Sequence, residues 1–274
     1  MDKIQAAIAK ARATRNTTAP TRPKGSVEPP APVEDHAVSP EAAWQALAPL
    51  SLDSARMERN RIVALQGGRM TSATDMMRTR ILQQMRANNW RRLAITSPTA
   101  GCGKTTISLN LAFSLSRQPD LRTLLLDLDL RRPAIAKTLG VTQDIDFVRV
   151  MDGSGQFADN ALRHGDTLAI SSTQHPQSHP AELLGRASVA DTLHEIEVAY
   201  DPTLMIFDMP PMLVSDDMMA FAGQVDCVLM LAAAEMTTIK EIDLCERELS
   251  SQTNVLGVVL NKCRHIGADY GYYA

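Results

Sequence analysis

Short apolar runs alternate with helical patterns from residue 93 onward. The runs LAITS (93–97), TLLLDLD (123–129), TLAIS (167–171), TLMIFD (203–208), CVLMLAA (227–233) and VLGVVLN (255–261) have the length of strands. Several are apolar throughout, as strands covered on both faces should be. Between them, helical patterns fall at 104–117, 181–199, 215–222 and 237–251. Before the first strand, Met76, Met77, Ile81, Leu82 and Met85 recur at three- and four-residue spacing and predict a helix over 70–88, ended by Asn88-Asn89. This alternation predicts an α/β fold: a doubly wound, mostly parallel sheet with helices on both faces.

The N-terminal pattern differs. Residues 1–15 read as a basic amphipathic helix with Ile4, Ala7, Ile8 and Ala11 on one face, either a solvated tail or a docking peptide. Residues 17–39 are proline-rich and nearly free of large apolar side chains, the composition of a disordered linker. A further helix is expected within 40–50. The expected organisation is a flexible region over 1–50, a nucleotide-binding domain over 51–265, and a tail over 266–274.

With 274 residues, 45% of them hydrophobic, one core of ordinary α/β size is expected. A net charge of −3 gives no global field favouring nucleic acid or an anionic membrane. Four scattered cysteines without CxxC pairing argue against a zinc site or disulfide framework. The longest strongly apolar run, CVLMLAAA, is too short to span a bilayer, and the opening residues lack a signal-peptide core. A soluble cytoplasmic chain is the expectation.

The candidate chemistry lies at the carboxyl ends of the predicted strands. SPTAGCGKTT (97–106) follows the first strand and opens a helix, the setting a phosphate-binding loop requires. Backbone groups of Ala100, Gly101, Cys102, Gly103 and Thr106 would cradle phosphate oxygens. Lys104 would reach the β- and γ-phosphates, and Thr105 would ligate Mg²⁺. Pro98 replaces the usual first glycine. The second strand ends in LLLDLDLRRP, with Asp127 and Asp129 expected to point the same way. Asp208 ends the apolar run LMIFD, where a carboxylate is costly unless paired, solvated or near a metal.

Together, TSPTAGCGKTT, LLLDLDLRRP, LMIFDMPP, HPAELL, VVLNK and the terminal DYGYYA resemble the bacterial tyrosine kinases of capsule and exopolysaccharide systems, in the form whose kinase is a separate chain. The resemblance runs from about residue 71 to the end. It implies a P-loop ATPase-like fold and autophosphorylation of Tyr270, Tyr272 and Tyr273 with ATP and Mg²⁺. It gives Asp127 and Asp208 to the Mg²⁺ site, Asp129 to activation of the tyrosine hydroxyl, and Asn261 and Lys262 to the neighbourhood of the base. It also implies a homo-oligomeric ring with tail-to-site phosphorylation in trans, and an activating cytoplasmic segment of a membrane polysaccharide co-polymerase that would recruit the chain to the membrane. The family's E-x-x-R-x-x-R oligomerisation pattern is incomplete here: Asp75 and Arg78 are followed by Ile81, with Arg80 one residue out of register. An ATPase switch of the partitioning or division-site type is the alternative, disfavoured by Thr99 where that group carries an early lysine. A nucleotide-dependent scaffold is a third reading, disfavoured by the intact lysine, threonine and aspartate set.

Overall fold

The computed structural model describes residues 39–67 and 71–263. The basic segment 1–15, most of the proline-rich stretch and the three terminal tyrosines lie outside the described residues. Among the described residues eight strands form one sheet: β1 (Ala48–Pro49), β2 (Arg92–Thr96), β3 (Thr123–Asp127), β4 (Leu162–His164), β5 (Leu168–Ser171), β6 (Leu204–Asp208), β7 (Cys227–Ala233) and β8 (Asn254–Asn261). Their spatial order is β1-β4-β5-β3-β6-β2-β7-β8. Every pairing is parallel except β4 with β5.

Alternate side chains of each central strand enter opposite cores. Leu124 and Leu126 face one cluster with Met205, Phe207, Val228 and Met230, while Leu125 joins Leu93, Ile95, Ile206 and Leu229 in the other. Neither face of these central strands meets water, which is why their runs are apolar. The second core is closed by α3 (Ser72–Asn88) and α4 (Lys104–Ser116), and the first by α8 (Ala187–Tyr200) and α10 (Ile239–Ser250).

Three sequence expectations shift. The predicted helix 181–199 is two helices, α7 (Pro180–Leu184) and α8: the first is capped at Gly185, whose N–H bonds Ala181 O at 2.9 Å, and Arg186 is extended before the chain recoils. The predicted strand 123–129 stops at Asp127, because Asp129 starts a turn that Arg132 N closes onto its carbonyl at 3.0 Å. The packed region also begins before residue 51. Helix α1 (Pro40–Ala46) buries Trp44 to 1% exposure, and its indole N–H donates to Tyr200 O at 2.7 Å. Trp44 also meets the Tyr200 ring edge-on. Tyr200 is thus a core residue and an anchor for the N-terminal helix.

Two side-chain networks fasten the segments before the phosphate loop. Asn110 on α4 accepts from Val63 N and Ala64 N and donates to Arg61 O and Thr106 O, using its whole hydrogen-bonding capacity. Asp75 on α3 accepts from Arg78, Ser114 and Arg117. Burial works to raise its pKa, but the bonds from Ser114 and Arg117 and the Arg117 charge hold it below the ordinary carboxylate range. The two residues that match the oligomerisation pattern are therefore engaged within the domain, and Ile81 is buried in the core.

Candidate nucleotide and phosphoryl-transfer site

The loop between β2 and α4 needs glycine at two points. Gly101 (φ +84°) and Gly103 (φ +93°) are in the left-handed region, and a Cβ on Gly103 would lie 2.5 Å from Asn261 Nδ2. Neighbouring segments hold the loop on several sides. Met212 N and Leu213 N donate to Ser97 O and Pro98 O at 2.9 and 3.0 Å, tying in the chain after β6. Asn261 Nδ2 donates to Cys102 O at 2.9 Å, and the Cys102 thiol lies against Thr99 O and the Thr237 hydroxyl. Burial opposes ionisation of that thiol, yet bonds from Thr237, Ser97 and Thr99 bring it below its ordinary value. Ala100 and Gly101 are exposed at the crest, whereas Lys104 is 8% exposed.

The acidic residues converge because β6 lies between β3 and β2, making Asp127 and Asp208 register partners. Both are fully buried. Asp208 accepts from the Thr105 hydroxyl at 2.6 Å and the Ser108 hydroxyl at 3.0 Å. Burial pushes its pKa up to about 6, against the pull of Thr105, Lys104 and Ser108. One oxygen of Asp127 accepts from Ile135 N, Ala134 N and the Ser172 hydroxyl at 2.9–3.0 Å. Its other oxygen is buried and has no hydrogen-bond partner among the described residues. Burial and then the Asp208 charge raise Asp127 to about 8. Asp129 is not a strand neighbour facing the same way: it sits in the following turn, its carboxylate accepting from Arg132 N at 3.1 Å. Burial raises its pKa, and the Lys104 charge tempers that rise.

A partnerless carboxylate oxygen, a second carboxylate and the Thr105 hydroxyl are hard oxygen donors of the kind Mg²⁺ takes. Among the described residues no group of three or more His, Cys, Asp or Glu side chains could hold a metal ion alone. Mg²⁺ does not require one, since it usually keeps waters and phosphate oxygens beside one or two carboxylates. The donor set fits the ion. Ser108 and Ser172 join this site without having been singled out in the sequence. Ser108 lies one turn from Thr105 on α4, a spacing that places both on one helix face.

Residues 93–267 match the CobQ/CobB/MinD/ParA nucleotide binding domain family. The chain belongs to this family. Within it, the resemblance to bacterial tyrosine kinases is borne out. The chain is 27% identical over 249 residues to the putative tyrosine-protein kinase AmsA of Erwinia amylovora, covering 86% of this chain and 34% of that one. It is 28% identical over 228 residues to the tyrosine-protein kinase YwqD of Bacillus subtilis (strain 168), covering 80% and 92%. The solved kinase domain of the Escherichia coli tyrosine kinase ETK matches with a TM-score of 0.67 at 26% identity, covering 77% of this chain and 84% of that one. The chain thus spans about a third of AmsA and nearly all of YwqD. The fold is the P-loop fold expected.

In this family member Asn261 lies on the phosphate loop, and Lys262 follows it, exposed, with φ +61°. No helix among the described residues is long and apolar enough to cross a membrane.

Proposed function

We propose that the chain is an ATP- and Mg²⁺-dependent protein-tyrosine autokinase that phosphorylates Tyr270, Tyr272 and Tyr273. The observation that carries this reading is the meeting of the Asp127–Asp208 pair with Thr105 at the mouth of a glycine-built phosphate loop, in a chain whose relatives are named tyrosine-protein kinases.

Phosphoryl transfer asks mainly for positioning and charge neutralisation. Loop N–H groups orient the phosphates, and buried Lys104 supplies a positive charge that Asp129 and Asp208 both feel. Asp127, Asp208 and Thr105 would hold Mg²⁺, which when bound neutralises charge developing on the transferred phosphoryl group. Asp129, in its loop beside Lys104, accepts the proton of the incoming tyrosine hydroxyl, whose free pKa of about 10 keeps it protonated at neutral pH. The phenol oxygen forms its bond to the γ-phosphorus as the bridging bond to ADP breaks, and ADP leaves.

The kinship supports a wider role: regulation of exopolysaccharide or capsule assembly, in a ring in which one subunit's tyrosines enter a neighbour's site, activated by the cytoplasmic segment of a membrane co-polymerase. Each phosphate adds about −1.5 to −2 charge, so a phosphorylated cluster is repelled from bound nucleotide and the assembly loosens.

The test is mass spectrometry of the C-terminal peptide after incubation with Mg·ATP, beside Lys104→Met and with and without a co-polymerase segment. Phosphate on the three tyrosines, absent in the variant, is expected. ADP release with unmodified tyrosines in every condition would replace the kinase with an ATPase switch.

A further inference from the structure

One strong side-chain pair near the site has no part in the chemistry above. Arg131 Nε and Nη2 donate to the two oxygens of Asp217 at 2.8 and 2.9 Å, and the Ser215 hydroxyl adds a third bond to that carboxylate at 2.9 Å. The Asp217 side chain is 0% exposed and that of Arg131 41% exposed, so the guanidinium is the lid on a buried charge. Asp216, 3.9 Å away and largely exposed, adds little.

The pair joins two segments that both carry site residues. Arg131 belongs to the turn after β3, two positions beyond Asp129. On one side of it Leu130 is buried in the core, with its carbonyl taking Gln177 N at 2.8 Å; on the other, Arg132 N closes onto Asp129. Asp217 opens the short helix α9 (Asp217–Phe221), on the segment that runs from Asp208 through Pro210-Pro211 and bonds the phosphate loop at Met212 and Leu213. A two-pronged arginine fork fixes distance and angle together, which a lysine cannot do.

The geometry points to Arg131 and Asp217 as a positioning clamp that holds Asp129 in register with Asp208 and the phosphate loop, so that the acceptor carboxylate is preset before substrate arrives. This rests on the phosphoryl-transfer reading above. A pair that only stabilised the fold would have the same contacts, and the two roles separate in a double variant. Removing Arg131 alone leaves Asp217 as an uncompensated buried charge. Replacing both by apolar groups removes that defect, since buried ion pairs are commonly replaceable without loss of stability, but it does not restore the fork.

The experiment compares full-length wild type, Arg131→Lys, Arg131→Met and Arg131→Met/Asp217→Leu, each assayed where circular dichroism shows it folded. Readouts are Tm, affinity for a fluorescent ATP analogue, and kcat and KM for ADP release. Arg131→Met is expected to lower both Tm and kcat. The double variant is expected to regain Tm while its kcat stays at least ~10-fold down with little change in nucleotide affinity, the signature of misplaced groups. Recovery of kcat along with Tm would overturn the clamp. If the double variant does not regain Tm, Arg131→Lys decides: reduced kcat at unchanged nucleotide affinity supports the clamp, and wild-type kcat overturns it. Wild type that releases ADP without phosphotyrosine would fail the kinase reading while leaving this comparison intact.

Discussion

Replacing Asp127 by Asn separates what this carboxylate costs the fold from what it does for chemistry. Asp127 is fully buried, and burial together with the Asp208 charge lifts its pKa from 3.8 to about 8. At pH 7 the unfolded chain holds the group ionised and the folded chain holds it protonated. Folding must then take up a proton about three pH units above the ordinary pKa, which at ~1.4 kcal/mol per unit opposes the fold by on the order of 4 kcal/mol. Asn is neutral in both states and avoids this. Its carbonyl oxygen can keep the bonds from Ile135 N, Ala134 N and Ser172, but its amide group takes the place of the partnerless oxygen. The amide brings two donor hydrogens where the protonated carboxyl has one, and a further unsatisfied buried donor costs ~1–3 kcal/mol. A net gain of ~2 kcal/mol remains, a Tm rise of about 4–8 °C for a domain of this size.

The pH dependence carries the sign. Below pH 4 both states of the wild type are protonated and no linkage operates. From about 4 to 8 the wild type loses stability as pH rises, because only its unfolded state releases the proton; the variant does not. Its advantage should therefore widen between pH 5 and 8 and then level off, in thermal melts without divalent cation, while phosphotyrosine formation is lost. Mg²⁺ with ADP should stabilise wild type and leave the variant nearly unmoved. A variant less stable at pH 7, or a difference constant from pH 5 to 8, would refute the buried-charge reasoning.

Two further outcomes are expected. Trp44→Ala should cost ~4 kcal/mol in urea unfolding, because it empties a buried site and leaves Tyr200 O without its donor; an unfolding free energy within ~1 kcal/mol of wild type would show that Trp44 is not part of the packed core. Gly103→Val should weaken binding of a fluorescent ATP analogue by ~10-fold or more, since φ is +93° and a Cβ meets Asn261 at 2.5 Å; unchanged affinity would show the loop free to adopt another shape.

The central strands were legible because their burial on both faces leaves no polar interruption, and β7 has the predicted limits 227–233. Lys104 and Thr105 were legible because a GKT sequence stands between an apolar strand and a helical pattern, and Asp208 because a carboxylate ends a wholly apolar run. Strands β1 and β4 were not, since two- and three-residue segments have no period of their own and exist through their partners. The same holds for Trp44, whose partner Tyr200 is 156 positions away, and for the Arg131–Asp217 fork, whose members are 86 positions apart.

The strand order explains why single site residues were readable and the site itself was not. Between β2 and β3 the chain passes over the place that β6 later fills, and only that insertion makes Asp127 and Asp208 register partners. Each aspartate was visible at its strand end, but their mutual proximity, which helps lift Asp127 to about 8, depends on a crossover that one-dimensional order does not record. Spacing in a continued strand pairs Asp127 with Asp129. The turn at Asp129 breaks that pairing and replaces it with one across strands. The crossover also puts the phosphate loop and both acidic loops at one end of the sheet, where doubly wound folds bind ligands. Ser172, on the loop after β5 beyond β3, enters the site for the same reason. A site built this way gathers its charge through topology, so its electrostatics are a property of the fold, while its chemistry is already written residue by residue.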